Sequence, residues 1–127
     1  LSCGIDMLDV FKRDLQERKA EGIDAQNAYM FRTYYNEALK TIARSRKRFG
    51  VFINELSGLF PDDFITGTSQ LLADSSRYWD ISANISLKLA ITKSLTLVDN
   101  LCEQLMLVKE TEKRIAEKLD QNIIQYI

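Results

Sequence analysis

The chain contains no histidine, and that one absence removes both the commonest general base and the commonest metal ligand. A serine nucleophile would then need a lysine partner, for which no spacing signal occurs, and a helical di-metal site built on Glu-x-x-His repeats cannot be assembled. Proline occurs once and glycine five times, too few turn formers for a hairpin-rich sheet. The glycines fall at positions 4, 22, 50, 58 and 67, so no closely spaced group exists to cradle a phosphate with backbone donors. The two cysteines, Cys3 and Cys102, are too few and too far apart for a metal knuckle or a disulfide scaffold, and read as reduced thiols of a cytoplasmic protein. No apolar run reaches the about 18 residues that span a bilayer; a peripheral place on a membrane is the most that is expected. Charge of one sign is also lacking, since 17 basic and 18 acidic side chains leave a net charge of -1. Any polyanion binding must therefore be local, and nucleic acid is an unlikely partner. Together these absences exclude most routes to catalysis: no enzyme, cofactor or metal is expected. The opening LSCG resembles the end of a bacterial lipoprotein signal, but the apolar stretch that signal requires does not precede it, and a processed or excised chain is the simpler expectation.

What is present is helical pattern. At 127 residues and 46% hydrophobic content the chain is one all-helical domain or a fragment of one. Ile5, Leu8, Phe11 and Leu15 recur at steps of three and four, which predicts a helix over 5–21, closed by Gly22 and followed by Asp24 as an N-cap. From residue 24 to 60 the seam Ala28, Arg32, Tyr35, Leu39, Ile42, Arg46, Phe49, Ile53, Leu56 and Phe60 keeps the same alternation, the mark of a helix packed lengthwise on another. Pro61 ends it. A third helix is expected over 68–126, with a second seam through Val98, Leu101, Leu105, Val108, Glu112, Ile115, Leu119, Asn122 and Tyr126. Two arms of similar length, each about 85 Å at 1.5 Å per residue, would fold into a long antiparallel, coiled-coil-like hairpin, Arg46 lying near Asp80. Such a hairpin has little interior, so its apolar face between Tyr78 and Val98 would need a further helix, from oligomerisation, a homodimer or a hetero-partner. A break near Thr92 to Thr96 would instead give a compact bundle; serine and threonine are the strongest breakers there, which favours the long form.

Most candidate chemistry dissolves into structure. Asp62 and Asp63 suit a helix start, and Glu110 and Glu112 belong to a charged helix face. Phe31, Tyr34, Tyr35, Tyr78, Trp79, Met30 and Met106 sit at core spacing. Two surfaces remain. Lys40, Arg44, Lys47 and Arg48 form a basic stripe on one side of the second helix, which with Lys88 and Lys93 is a candidate for meeting an anionic surface. Ile85, Leu87, Leu89, Ile91, Val98, Leu101, Leu105 and Val108 are the candidate interface for a partner helix.

The segment YYNEALKTIARSRKRFGVFINELSGLF, followed by a turn and ADSSRYWDISANISLKLAITKSLTLVDNL, resembles the first two helices of BAR domains. Tyr35, Ala38, Leu39, Phe49, Gly50, Leu56, Leu59 and Tyr78 carry the likeness, over residues 30–126. The resemblance implies a dimeric scaffold that senses or shapes membranes with basic side chains, here Lys88, Lys93, Lys109, Lys113 and Arg114 besides the stripe. It also implies a third long helix, for which a chain of this length has no room. The expected function is thus a non-enzymatic helical interaction module, membrane-associated in the BAR manner. The alternative is a protein-directed adaptor, secretion chaperone or coiled-coil assembly subunit, and a ligand-binding bundle with an internal cavity stands third.

Overall fold

Helix propensity and the two seams are realised along almost the whole chain. The computed structural model describes residues 2–123. In it run α1 (Ser2–Glu21), α2 (Ala25–Met30), a π-helical turn (Phe31–Tyr35), α3 (Asn36–Glu55), α4 (Asp62–Thr92) and α5 (Thr96–Ile123). The π turn joins α2 and α3 into one arm, so the molecule is an all-α bundle. The described residues hold no strand, only a single bridge between Ser57 and Phe60. None of their helices is long and apolar enough to cross a membrane.

The ends of these helices follow from their residues. Gly22, at φ +90°, closes α1 in the left-handed region that a glycine adopts without a Cβ clash. Asp24 then caps α2, its Oδ1 accepting a hydrogen bond from the Asn27 amide at 2.7 Å. The second arm stops at Glu55 rather than at 60, because Ser57 donates back to the Asn54 carbonyl at 2.6 Å and Gly58 turns the chain at φ +90°. Pro61 precedes α4, whose first turn starts at residue 62 instead of 68 and holds Asp62 and Asp63, where carboxylates complement the helix dipole.

The expected single helix over 68–126 is two helices. Lys93 takes the left-handed conformation at φ 55° and caps α4, its amide bonded to the Leu89 carbonyl at 2.8 Å. The neighbouring hydroxyl helps: Thr92 Oγ1 donates to the Lys88 carbonyl at 2.9 Å and accepts from the Ser94 amide at 3.3 Å. Short side chains that compete for backbone groups thus break the helix where neither glycine nor proline is present. In consequence α5 folds back along α4, and the compact bundle replaces the long two-armed hairpin.

α4 is the central helix, packed antiparallel against α3 on one side and α5 on the other, while α1 lies on α5. Its wide apolar face has the two neighbours that its pattern called for. Small residues line its inward side: Ser75, Ser82, Ala83 and Ser86 are all 0% exposed. They let α3 come close enough for cross-helix bonds, from Ser76 Oγ to the Ala43 carbonyl at 2.8 Å and from Asn36 Nδ2 to the Ala83 carbonyl at 2.8 Å. Ser86 Oγ reaches the Phe31 carbonyl at 3.1 Å, a carbonyl at the start of the π turn. Phe31, fully buried, holds the core position that the seam assigned to Arg32, which is exposed. The larger core cluster includes Leu15, Phe31, Leu39, Trp79, Leu89, Val98, Leu101, Leu105 and Val108. A smaller one, of Ile53, Phe64, Ile65, Leu72 and Ile115, fills the end near the α3–α4 turn.

Candidate functional site

α1 shows how this bundle accepts a helix. Leu8 and Leu15 are buried in the main core, and the Phe11 ring meets that of Tyr35 at 5.0 Å. Ion pairs stitch the edges: Asp9 with Lys109 at 2.9 Å and Lys19 with Asp99 at 2.6 Å. α1 therefore occupies a cleft between the α2–α3 arm and α5, with apolar residues inward and charge at the rims. The hydrogen bond and charge of Lys109, aided by Lys113 and Lys12, hold the Asp9 carboxyl below its ordinary value of 3.8.

Between α3 and α5 the cleft stays open as a groove of about 900 Å³. Ile42 and Phe49 of α3 form one wall, Ile115 and Leu119 of α5 the other, and Leu72 and Trp79 of α4 the floor, with Leu8 and Phe11 of α1 also on its lining. Its size lies within the range of ligand sites, and its walls are mostly apolar. One polar cluster interrupts them. Arg46 binds Glu112 Oε1 through Nη2 at 2.6 Å and through Nε at 2.8 Å, and the Trp79 Nε1–H donates to the same oxygen at 3.3 Å. With the Glu112 side chain only 12% exposed, this pairing lets a charge sit in the α3 seam without the several kcal/mol that an unpaired one would cost.

The expected partner of Arg46, Asp80, is engaged elsewhere: it pairs with Lys40 at 2.6 Å on the outer face of the α3–α4 pair. Equal-arm register set Asp80 opposite Arg46, but the turn at 56–61 places it beside Lys40, about 9 Å away along α3 at 1.5 Å per residue, and the fold-back of α5 supplies Glu112 instead. Of the basic stripe, Arg44 has only a long bond to Thr41 Oγ1 at 3.4 Å, and Lys47 and Arg48 are exposed with no ion pair among the described residues. Arg77 of α4, which sequence reasoning missed, joins Arg44 and Lys47 around a depression of about 460 Å³. The hairpin register that sets Lys40 beside Asp80 also sets Arg77 beside Arg44, a signal readable only once the turn at 56–61 is fixed. Lys88 and Lys93 are exposed but do not line that depression.

The candidate partner-helix interface needs correction. Leu89, Val98, Leu101, Leu105 and Val108 are at most 2% exposed, consumed by packing within the chain because α5 folds back on α4. Ile85 and Leu87 are half-buried, and Ile91 alone of the set is open, at 71%. Two supposed core residues are instead at the surface: Tyr34, in edge contact with Tyr29 at 6.2 Å, and Met106. Cys102 is buried and unbonded, and burial pushes its thiol up from the ordinary value of 9.0, away from the reactive thiolate.

Family profiles, curated proteins and solved structures were compared with this chain, and none matches it.

Proposed function

We propose that this chain is a non-enzymatic helical interaction module whose α3–α5 groove receives an amphipathic helix of a partner protein. The observation that supports this reading is the continuity of the groove with the cleft that α1 occupies. Both lie between the same two arms, and α1 displays the chemistry that fits: apolar residues inward and an acidic residue, Asp9, against a lysine of α5. One turn beyond Lys109 on α5, Lys113 stands exposed, and Arg48 is exposed on α3; cations on the two helices that bound the groove favour a guest helix with acidic flanks.

The probe is a synthetic amphipathic peptide with leucines at the spacing of Leu8, Phe11 and Leu15 and glutamates beside them, read through the emission of Trp79, the sole tryptophan, in the groove floor. Saturable binding with Kd below about 100 µM, weakened in Phe49→Glu and in Lys113→Glu, is expected. Lys113→Glu guards against misfolding, because its side chain is at the surface. A flat titration, tighter binding of the lysine-flanked peptide, or closure of the groove by a second copy of the chain would overturn the reading.

A second reading, peripheral association with an anionic membrane as the BAR resemblance implies, is favoured by Lys47 and Arg48, exposed and without an ion pair among the described residues. Vesicle co-sedimentation with and without anionic lipid decides it, and loss of all binding at low salt would end it.

A further inference from the structure

The α3–α4 depression differs from an ordinary solvated charge stripe in three respects. Its cations come from two helices: Arg44 and Lys47 stand on α3 and Arg77 on α4. Its floor is made of small residues, Ala43, Ala73 and Ser76, so a ligand can sit between the long side chains rather than above them. Its single acid, Asp80, already has Lys40 as its counterion at 2.6 Å. The lining thus carries three cations against one acid that is already paired, in a chain whose net charge is -1.

The cations are also poorly used by the fold. Lys47 has no ion pair among the described residues, Arg44 only the 3.4 Å contact to Thr41, and Arg77 a 3.5 Å contact to Asp74. Arg77 is nonetheless held in place, since its guanidinium lies over the Tyr78 ring at 5.2 Å while its side chain stays 61% exposed. A planar guanidinium fixed on a ring and open to solvent is suited to bidentate contact with phosphate oxygens, and Lys47 adds a mobile point charge.

We infer that this depression is a binding site for a ligand carrying two or more neighbouring phosphate groups, gripped by Arg44, Lys47 and Arg77. A single phosphate would leave much of the about 460 Å³ unfilled. The ligand chemistry occurs both in soluble polyphosphates and in multiply phosphorylated lipid headgroups. The site is separate from the helix-receiving groove, and it differs from diffuse membrane attraction because it requires Arg77, which lies outside the α3 stripe.

Calorimetric titration of the intact chain with inorganic tripolyphosphate at low salt tests the site. Arg77→Gln and Lys47→Gln are each expected to weaken binding about fivefold or more, the value of one well-placed charge. The paired control Lys88→Gln with Lys93→Gln, two exposed cations outside the depression, is expected to leave affinity unchanged. In a second arm, vesicles of phosphatidylcholine with and without phosphatidylinositol bisphosphate assign the source: binding that needs Arg77 there marks a lipid headgroup, and binding confined to tripolyphosphate marks a soluble ligand. Absence of binding in both arms overturns the inference, as does equal weakening by the control pair, the signature of a diffuse field.

Discussion

Lys93 turns the chain between α4 and α5 through its backbone. It is the one described non-glycine residue with positive φ, at 55°, and an L-residue there pays roughly 1 kcal/mol that glycine does not. Lys93→Gly is therefore expected to raise stability by about 0.5 kcal/mol, after the larger entropy of the unfolded glycine chain is deducted; the midpoint of urea unfolding measures it. Nothing in TKSLT announces a left-handed residue by composition, which is why a break between Thr92 and Thr96 stood only as the less favoured form: it is made by competing hydroxyls and by the burial gained when α5 folds back. Asp9 offers a second test. Its carboxyl is depressed below 3.8 mainly by the hydrogen bond from Lys109, so its pairing favours the fold above the unfolded-state value. That contribution is lost as pH falls through the lower, folded-state value. Side-chain NMR titration is expected to show an Asp9 midpoint below the ordinary value, rising toward it in Lys109→Gln.

At the scale of elements, the heptad seams transmitted most of the fold. The second seam stands as far as Asn122, with Tyr126 outside the described residues, and the first is half-buried or better at every position except Arg32. What periodicity could not supply was the register and the azimuth between helices, and these decide which charges meet. Arg46 was marked as a cation in need of a partner, yet its partner is 66 residues away on a helix that was expected to continue along α4. The pair gives a discriminating experiment. Glu112→Leu strands a guanidinium that is 30% exposed and is expected to cost about 2 kcal/mol, below the range for fully buried pairs because solvent reaches it. Adding Arg46→Leu is expected to recover most of that loss, since an apolar pair suits the mostly apolar groove walls; a double-mutant cycle on denaturant midpoints reads the coupling. The groove itself was not legible either, because it is the space three helices leave and belongs to no segment alone.

The molecule as a whole is a set of nearest-neighbour hairpins with one exception. α3 folds on α4 and α4 on α5 through short turns, whereas α1 reaches α5 across nearly the entire sequence, as the 100-residue separation of Asp9 and Lys109 shows. That difference has a kinetic meaning. Short loops close early at little entropic cost, and distant ones wait until a surface exists to receive them. The hairpins around α4 are then expected to form the folding nucleus, with α1 docking after the rate-limiting barrier. Leu15→Ala, which empties a fully buried site on α1, is expected to speed unfolding by at least about tenfold while leaving the refolding rate nearly unchanged, whereas Leu72→Ala on α4 should slow refolding. Stopped-flow chevrons of the two variants separate these cases. The first helix in the sequence is thus the last to be gained and the first to be released, a segment held by docking rather than by nucleation.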